Sequence, residues 1–234
     1  MTVATAEGSD PPLARSVLSA QVKDKMLQWI LEGQLRPGAR IIETRVAREL
    51  GTSQAPVREA LRDLATLGLV EMHPYRGARV REPAPDELVE AMEVRGELEA
   101  MAARSAVRRI TDADLERLEA ILEGMRASAA RGDAHAQAIQ NLAFHTHVVS
   151  ASGNLTIQRL WTMLEPFARS YLTATVPGAD LVWLAERHAA VVEALRSGDP
   201  DRAAEAMRVH AREAESQVLR GRHPLGTDAT AASG

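Results

Sequence analysis

The chain has 234 residues, 45% of them apolar but only 3% aromatic, and no cysteine. That excludes disulfides and thiolate metal sites, and it leaves Leu, Ala, Val, Ile and Met to fill an interior that favours helices. The net charge of −4 is uneven: residues 13–82 hold twelve Lys and Arg against eight Asp and Glu, while residues 83–234 hold sixteen against twenty-two, so only the first part suits a polyanion.

Residues 1–12 are small and polar and read as a disordered tail, as do residues 220–234. No apolar run is long enough to span a membrane, and the first sixteen residues lack the apolar core of a signal peptide, so a cytoplasmic protein is expected.

Val17, Val22, Met26, Ile30 and Leu31 predict a helix over Leu13–Glu32, stopped by Arg36-Pro37-Gly38. A short helix follows from Glu43 to Leu50, ended by Gly51. Ser53 suits the N-cap of a helix from Gln54 to about Leu67, with Pro56 in its first turn, where a missing N–H costs little. Beyond Gly68 the period changes to two: residues 69–72 and 78–81 predict two strands joined through residues 73–77. Residues 83–86, with Pro83 and Pro85, read as a linker.

From there everything is helical. Leu88, Met92, Val94, Leu98 and Met101 mark a stripe over 87–108, and Thr111 with Asp114 forms a capping-box start to the next helix. Further helices are predicted at about 134–151, 155–175, 179–196 and 201–219, punctuated by Gly132, Gly153, Pro177-Gly178 and Gly198-Asp199-Pro200. The expected fold is mainly α. A winged helix-turn-helix of three helices and a β-hairpin wing (13–82) precedes an all-α antiparallel bundle (87–219).

In the helix after Ser53, Val57, Ala60, Leu61 and Leu64 share an inward face, while Gln54, Arg58 and Arg62 share the opposite one. That outer row suits a major groove, the helix N-terminus at Ser53 suits a phosphate, and Arg76-Gly77 puts a cation on a flexible wing tip. Arg79 and Arg81 alternate outward along the same strand. Two arginines alone would read as a solvated helix face; the cap, the turn, the polar row and the basic wing together favour DNA.

Glu43, Ala47, Leu50-Gly51, Ser53, Pro56-Val57-Arg58-Glu59-Ala60-Leu61-Arg62, Leu64, Gly68-Leu69-Val70 and Arg76-Gly77 resemble the DNA-binding domain of GntR-type regulators. The resemblance implies a DNA-facing set of Thr44, Ser53, Gln54, Ala55, Arg58, Arg62, Arg76 and Gly77. The family has Arg after the Ser. Gln54 here can still bond adenine or a phosphate without charge, so the operator is expected to differ from the family's common one.

The second part holds a group of imidazoles. Asn141 and His145 lie four apart on one helix face. His188 and His210 lie eleven residues before and after Asp199, so an antiparallel hairpin brings them to one height. If the Asn141–His145 face packs on that hairpin, three imidazoles and an amide oxygen converge, a donor set for a divalent metal: Zn²⁺ first, with Ni²⁺ or Mn²⁺ open. The alternative is separate core or surface histidines. His147 faces elsewhere and reads as structural, and His73, His135 and His223 carry no site.

Glu93-Val94-Arg95 with Glu99, Phe144-His145, residues 151–154, His188 before Glu193-Ala194-Leu195, Gly198-Asp199, Ala203, Met207 and His210 resemble the FCD ligand-binding domain of the FadR subgroup. The resemblance implies metal ligands at Asn141, His145, His188 and His210, with Asn141 where Asp is common. It also implies a small carboxylate effector beside the metal, held by Arg95 and Asn154; a buried ion pair is the competing role for Arg95. A homodimeric regulator follows, most simply a repressor on a short palindromic operator, and not an enzyme. Two rivals stay open: a metallohydrolase, and a DNA binder with a purely structural metal.

Overall fold

The computed structural model describes residues 12–73, 77–82, 84–175 and 180–220, so residues 1–11 and 221–234 of the expected tails, Pro83, the wing tip with Arg76 and the Pro177-Gly178 break lie outside the described residues, while Pro12 and Arg220, expected in the tails, are helical. The chain divides into two compact units, residues 1–82 and 83–234.

In the first unit α1 (Pro12–Leu31), α2 (Glu43–Glu49) and α3 (Gln54–Thr66) accompany β1 (Arg40–Ile41), β2 (Val70–His73) and β3 (Gly77–Val80). Strand β1 was not foreseen. The strands form an antiparallel sheet in the order β1-β3-β2, with Ile41 opposite Ala78 and Glu71 opposite Arg79. Two residues are too few to show a period of two, so β1 is visible only through its partner. Val57, Ala60, Leu61 and Leu64 of α3 are fully buried, as their spacing requires, and α1 packs against α3. On α1, Val17 is exposed and Val22, Met26 and Ile30 carry the inner face.

The second unit is helical throughout its described residues: α4 (Pro85–Ala106), α5 (Asp112–Ala130), α6 (Ala134–Ala151), α7 (Leu155–Thr175), α8 (Leu181–Glu186), α9 (Ala189–Arg196) and α10 (Pro200–Arg220). The Thr111–Asp114 capping box forms: the Thr111 Oγ1 accepts from the Asp114 N–H (3.2 Å) and the Asp114 carboxylate accepts from the Thr111 N–H (2.9 Å). Helix α4 packs against α10, α6 and α7, and α5 packs against α6, α8 and α9. The main core joins Leu118, Met125, Phe144, Val148, Leu195 and Met207.

Two expectations change here. The inner face of α4 is not the full stripe read from the sequence, because Val94 and Met101 are exposed while Arg95 and Glu99 are buried with Leu88 and Met92. Charged residues at inner positions hid the true face. The helix expected over 179–196 is interrupted. The His188 N–H bonds back three residues to Ala185 (3.1 Å), a tight turn that separates α8 from α9. The neighbours Arg187 and His188 thereby both turn inward, with the Arg187 side chain 6% exposed and His188 1% exposed.

Helices α4 and α10 cross closely at Gly96, where an added Cβ would stand 2.7 Å from the Ala211 Cβ. This contact seats His210, one residue earlier on α10, beside α4.

Candidate nucleic-acid interface and metal centre

On α3 the residues Ser53, Gln54, Ala55, Arg58 and Arg62 are all exposed, as is Thr44 on α2. Ser53 occupies the N-cap with extended backbone, but its hydroxyl makes no capping bond. The outer row is preorganised by a short chain of bonds. Arg58 donates from Nε to Glu43 Oε2 (2.6 Å) and from Nη2 to Gln54 Oε1 (3.0 Å). The Arg58 guanidinium is thus fixed between α2 and α3, and the Gln54 amide is oriented with its oxygen occupied. Arg62 keeps an exposed side chain one turn on. Gly77 opens β3 at φ 81°, a backbone only glycine adopts readily. Arg79 is exposed and donates to the Gly38 carbonyl (3.0 Å), and Arg81 lies 3.8 Å from Glu71.

In the second unit the four residues singled out from spacing converge. His188 Nε2 lies 3.0 Å from Asn141 Oδ1, and His210 Nε2 lies 3.3 Å from His145 Nε2. One ring nitrogen from each of the three histidines falls within 4.8 Å of the others, and all three residues are buried. The His188 and His210 rings are 4.4 Å apart at their centroids, as equal offsets from the α9–α10 turn require. Phe144 closes one side, its ring edge-on to His188 at 4.8 Å.

The outward nitrogens are also placed for ligation. His188 Nδ1 lies 3.2 Å from the Ala185 carbonyl, and His145 Nδ1 lies 3.1 Å from Glu99 Oε2, with the N–H off the direct line. With the proton on Nδ1, facing these oxygens, the Nε2 lone pair is directed inward, the tautomer a metal needs. His210 Nδ1 makes no hydrogen bond among the described residues. Burial, then the charges of neighbouring histidines and Arg187, hold His188 and His210 well below the ordinary imidazole pKa, so both are neutral donors. The donor chemistry therefore fits a divalent ion.

Glu99 is the centre of the surrounding shell. Burial pushes its carboxyl up, but Arg95, His145 and Trp161 together hold it far below the usual range. Its Oε1 accepts from Arg95 Nε (2.8 Å) and Trp161 Nε1 (2.7 Å). The only sign of this role in the chain itself is the i, i+4 spacing of Arg95 and Glu99. Glu99 is the acid beside His145, and its three partners keep its carboxylate a weak base.

The remaining expected residues are placed as follows. Arg95 is buried in the ion pair with Glu99 and lies 5.7 Å from the Trp161 ring centre. Asn154 is exposed and caps α7, its Oδ1 accepting from the Thr156 (3.0 Å) and Ile157 (3.2 Å) N–H groups. His147 lies 3.1 Å from Asp114. Arg187 went unnoticed in the sequence. Its side chain is buried, its Nε donates to Glu213 (3.3 Å), its Cζ lies 5.1 Å from the Trp183 ring centre, and its Nη2 finds no acceptor among the described residues. Burial pushes its pKa down to about 10.

Both units match known families. Residues 18–80 match the model for bacterial regulatory proteins of the gntR family, and residues 90–213 match the FCD domain. The chain is 37% identical to a Paenarthrobacter nicotinovorans protein named "Probable D-xylose utilization operon transcriptional repressor", over 85% of this chain and 87% of that protein. It is 31% identical to the HTH-type transcriptional regulator McbR of Escherichia coli K12, over 79% of this chain and 85% of McbR. The solved structure of E. coli McbR/YncC superposes with a TM-score of 0.75 at 27% identity, covering 88% of this chain and 99% of that one. These relatives are named as regulators of transcription. No helix among the described residues is long and apolar enough to cross a membrane.

Proposed function

The chain belongs to the GntR family of bacterial transcription regulators and carries its FCD domain, and from that premise we propose that a small carboxylate effector, bound beside a divalent metal in the second unit, controls its affinity for a palindromic operator. The observation that carries this reading is the convergence of His145, His188, His210 and Asn141, with His188 and His145 set by groups beside their outward nitrogens.

These four residues would hold the metal, Zn²⁺ first among the candidates. When bound, it supplies a Lewis-acidic attraction for a carboxylate oxygen. Asn141 contributes a neutral oxygen where an aspartate would contribute charge, which leaves the site more positive and favours an anion. In the first unit, Gln54, Arg58 and Arg62 face a major groove, with Thr44, Ser53 and Ala55 beside them and Gly77 at the wing.

The acting form is a homodimer, supported by exposed apolar side chains on α4 (Val94 and Met101, seven residues apart) and on α7 (Leu160 and Met163, three apart). Two copies read two half-sites. The role is that of a repressor, as in the name of the P. nicotinovorans relative. Control requires that the effector bind one arrangement of the two units better than the other, since equal affinity shifts nothing.

The test is a DNA-binding titration on duplexes selected from a random library by the purified protein, repeated with a panel of organic acids, with chelator, and with His188→Ala. The proposal expects an acid that changes duplex affinity at least tenfold in the wild type, and loss of that change on chelation or in His188→Ala. An effector response untouched by both would overturn the metal role.

A further inference from the structure

We propose that Arg187, not Arg95, is the cation that holds the anionic effector, so that effector carboxylate binding depends on a residue the family resemblance did not single out. This deepens the effector reading given above and rests on it.

The two arginines differ in what already neutralises them. Arg95 is paired at 2.8 Å with Glu99, a carboxylate only 3% exposed, and lies over Trp161. Moving it onto a ligand would strand Glu99, and Glu99 orients His145. Arg95 is therefore a positioning residue, with its charge balanced inside the fold. Arg187 has a looser partner. Glu213 meets it through Nε alone at 3.3 Å and has a side chain 42% exposed, while the Arg187 side chain is 6% exposed. Its Nη2 is buried without an acceptor among the described residues. A buried guanidinium N–H left unpaired is costly, and an incoming carboxylate oxygen satisfies it with a charge-assisted bond.

Arg187 is also next in the chain to one of the converging histidines. It directly precedes His188, and its charge acts on both His188 and His210. The turn between α8 and α9 exists in a form that buries these two neighbours together. Trp183, stacked against the guanidinium at 5.1 Å, fixes its plane and provides a reporter. The Asn154 side-chain oxygen is engaged in capping α7.

The experiment uses full-length protein loaded with zinc and a series of simple carboxylates, acetate, malonate and succinate, with succinamide as the uncharged control. Binding is read as quenching of Trp183 fluorescence, against Trp183→Phe, and as a shift in melting temperature. Zinc content is measured on every variant. At least one carboxylate should bind the wild type and succinamide should not. Arg187→Gln should weaken that carboxylate tenfold or more at unchanged zinc content, and Arg187→Lys should recover part of the loss. Arg187→Gln binding within twofold of wild type, or no carboxylate binding to the zinc-loaded wild type, overturns the proposal. If the wild type takes up no zinc, the metal reading fails by itself. Carboxylate binding to the metal-free protein that is lost in Arg187→Gln would then still uphold Arg187.

Discussion

Glu99 approaches His145 Nδ1 at 3.1 Å through one carboxylate oxygen while the other accepts from Arg95 and Trp161. One side chain thus ties α4 to the imidazole of α6 and to the indole of α7. Glu99→Gln should keep the shape but lose the charge that orients His145 and balances Arg95. The expected result is metal affinity lower by about 10- to 100-fold, the usual effect of removing an outer partner of a ligating histidine. Leaving the buried Arg95 unpaired should also cost about 3 kcal/mol of stability. Chelator competition and thermal melts measure the two effects separately.

The metal-free protein should lose stability on mild acidification. Burial holds His188 and His210 neutral in the fold, with pKa values well below that of an unfolded histidine, and His145 and Arg187 add to the effect at His188. Below about pH 6.5 the unfolded chain therefore takes up protons that the native state refuses. The slope is about 1.4 kcal/mol per pH unit for each histidine, and stability falls as pH falls. Urea melts of chelated protein between pH 7.5 and 5 should show this, and His188→Gln should remove about half of it. Glu99 adds almost no slope in this window, because the stability from its depressed pKa is fully present above the ordinary carboxylate range and is lost only below it.

Occupancy of the histidine site should raise the melting temperature. A ligand that binds only the native state stabilises it by about 2.7 kcal/mol at a hundredfold excess over its dissociation constant. Zinc should stabilise the wild type and chelator should reverse this. His210→Ala should abolish the response. Equal zinc shifts in wild type and His210→Ala would place any bound ion elsewhere.

The elements that could be read from the sequence were those with a period. The buried face of α3 follows the 3.6-residue repeat of Val57, Ala60, Leu61 and Leu64, and the pairing of His188 with His210 follows from equal distances to one turn. What escaped was set by tertiary contacts. Strand β1 has two residues and exists only against β3. The face of α4 was obscured because its inner positions include Arg95 and Glu99, which are tolerated only as a pair. Arg187 was hidden because a continuous helix would have pointed it about 100° away from His188, and the turn that brings both inward has no Gly or Pro to announce it.

The crossing of α4 and α10 depends on Gly96. A methyl there would stand 2.7 Å from the Ala211 Cβ, which forces the helices apart. Gly96→Ala gains helix propensity, about 1 kcal/mol, but overpacking costs about 1–3 kcal/mol, so a net loss is expected. Gly96→Val should lose more. Because His210 precedes Ala211, both variants should also weaken metal binding. A variant that kept wild-type metal affinity after losing stability would show that α10 can shift without moving His210.

The Gln54 amide should read an acceptor in the groove. Adenine recognition by glutamine uses the amide oxygen and the N–H together. Here Gln54 Oε1 already accepts from Arg58 Nη2 at 3.0 Å, and Arg58 is itself held by Glu43 at 2.6 Å. One lone pair of Oε1 is thereby taken while both N–H donors stay available, which favours guanine N7 and O6 or thymine O4. Selection from random duplexes should therefore favour guanine or thymine over adenine at one position of each half-site, by about 1–3 kcal/mol. Gln54→Glu, which has no donors, should erase that preference, and Glu43→Gln, which loosens Arg58, should let adenine in. Arg62→Ala should differ in kind: weaker binding to every sequence and a salt slope reduced by about one, the mark of a lost phosphate contact. Adenine selected by the wild type would mean that DNA breaks the Arg58–Gln54 bond and that Glu43 does not set the readout.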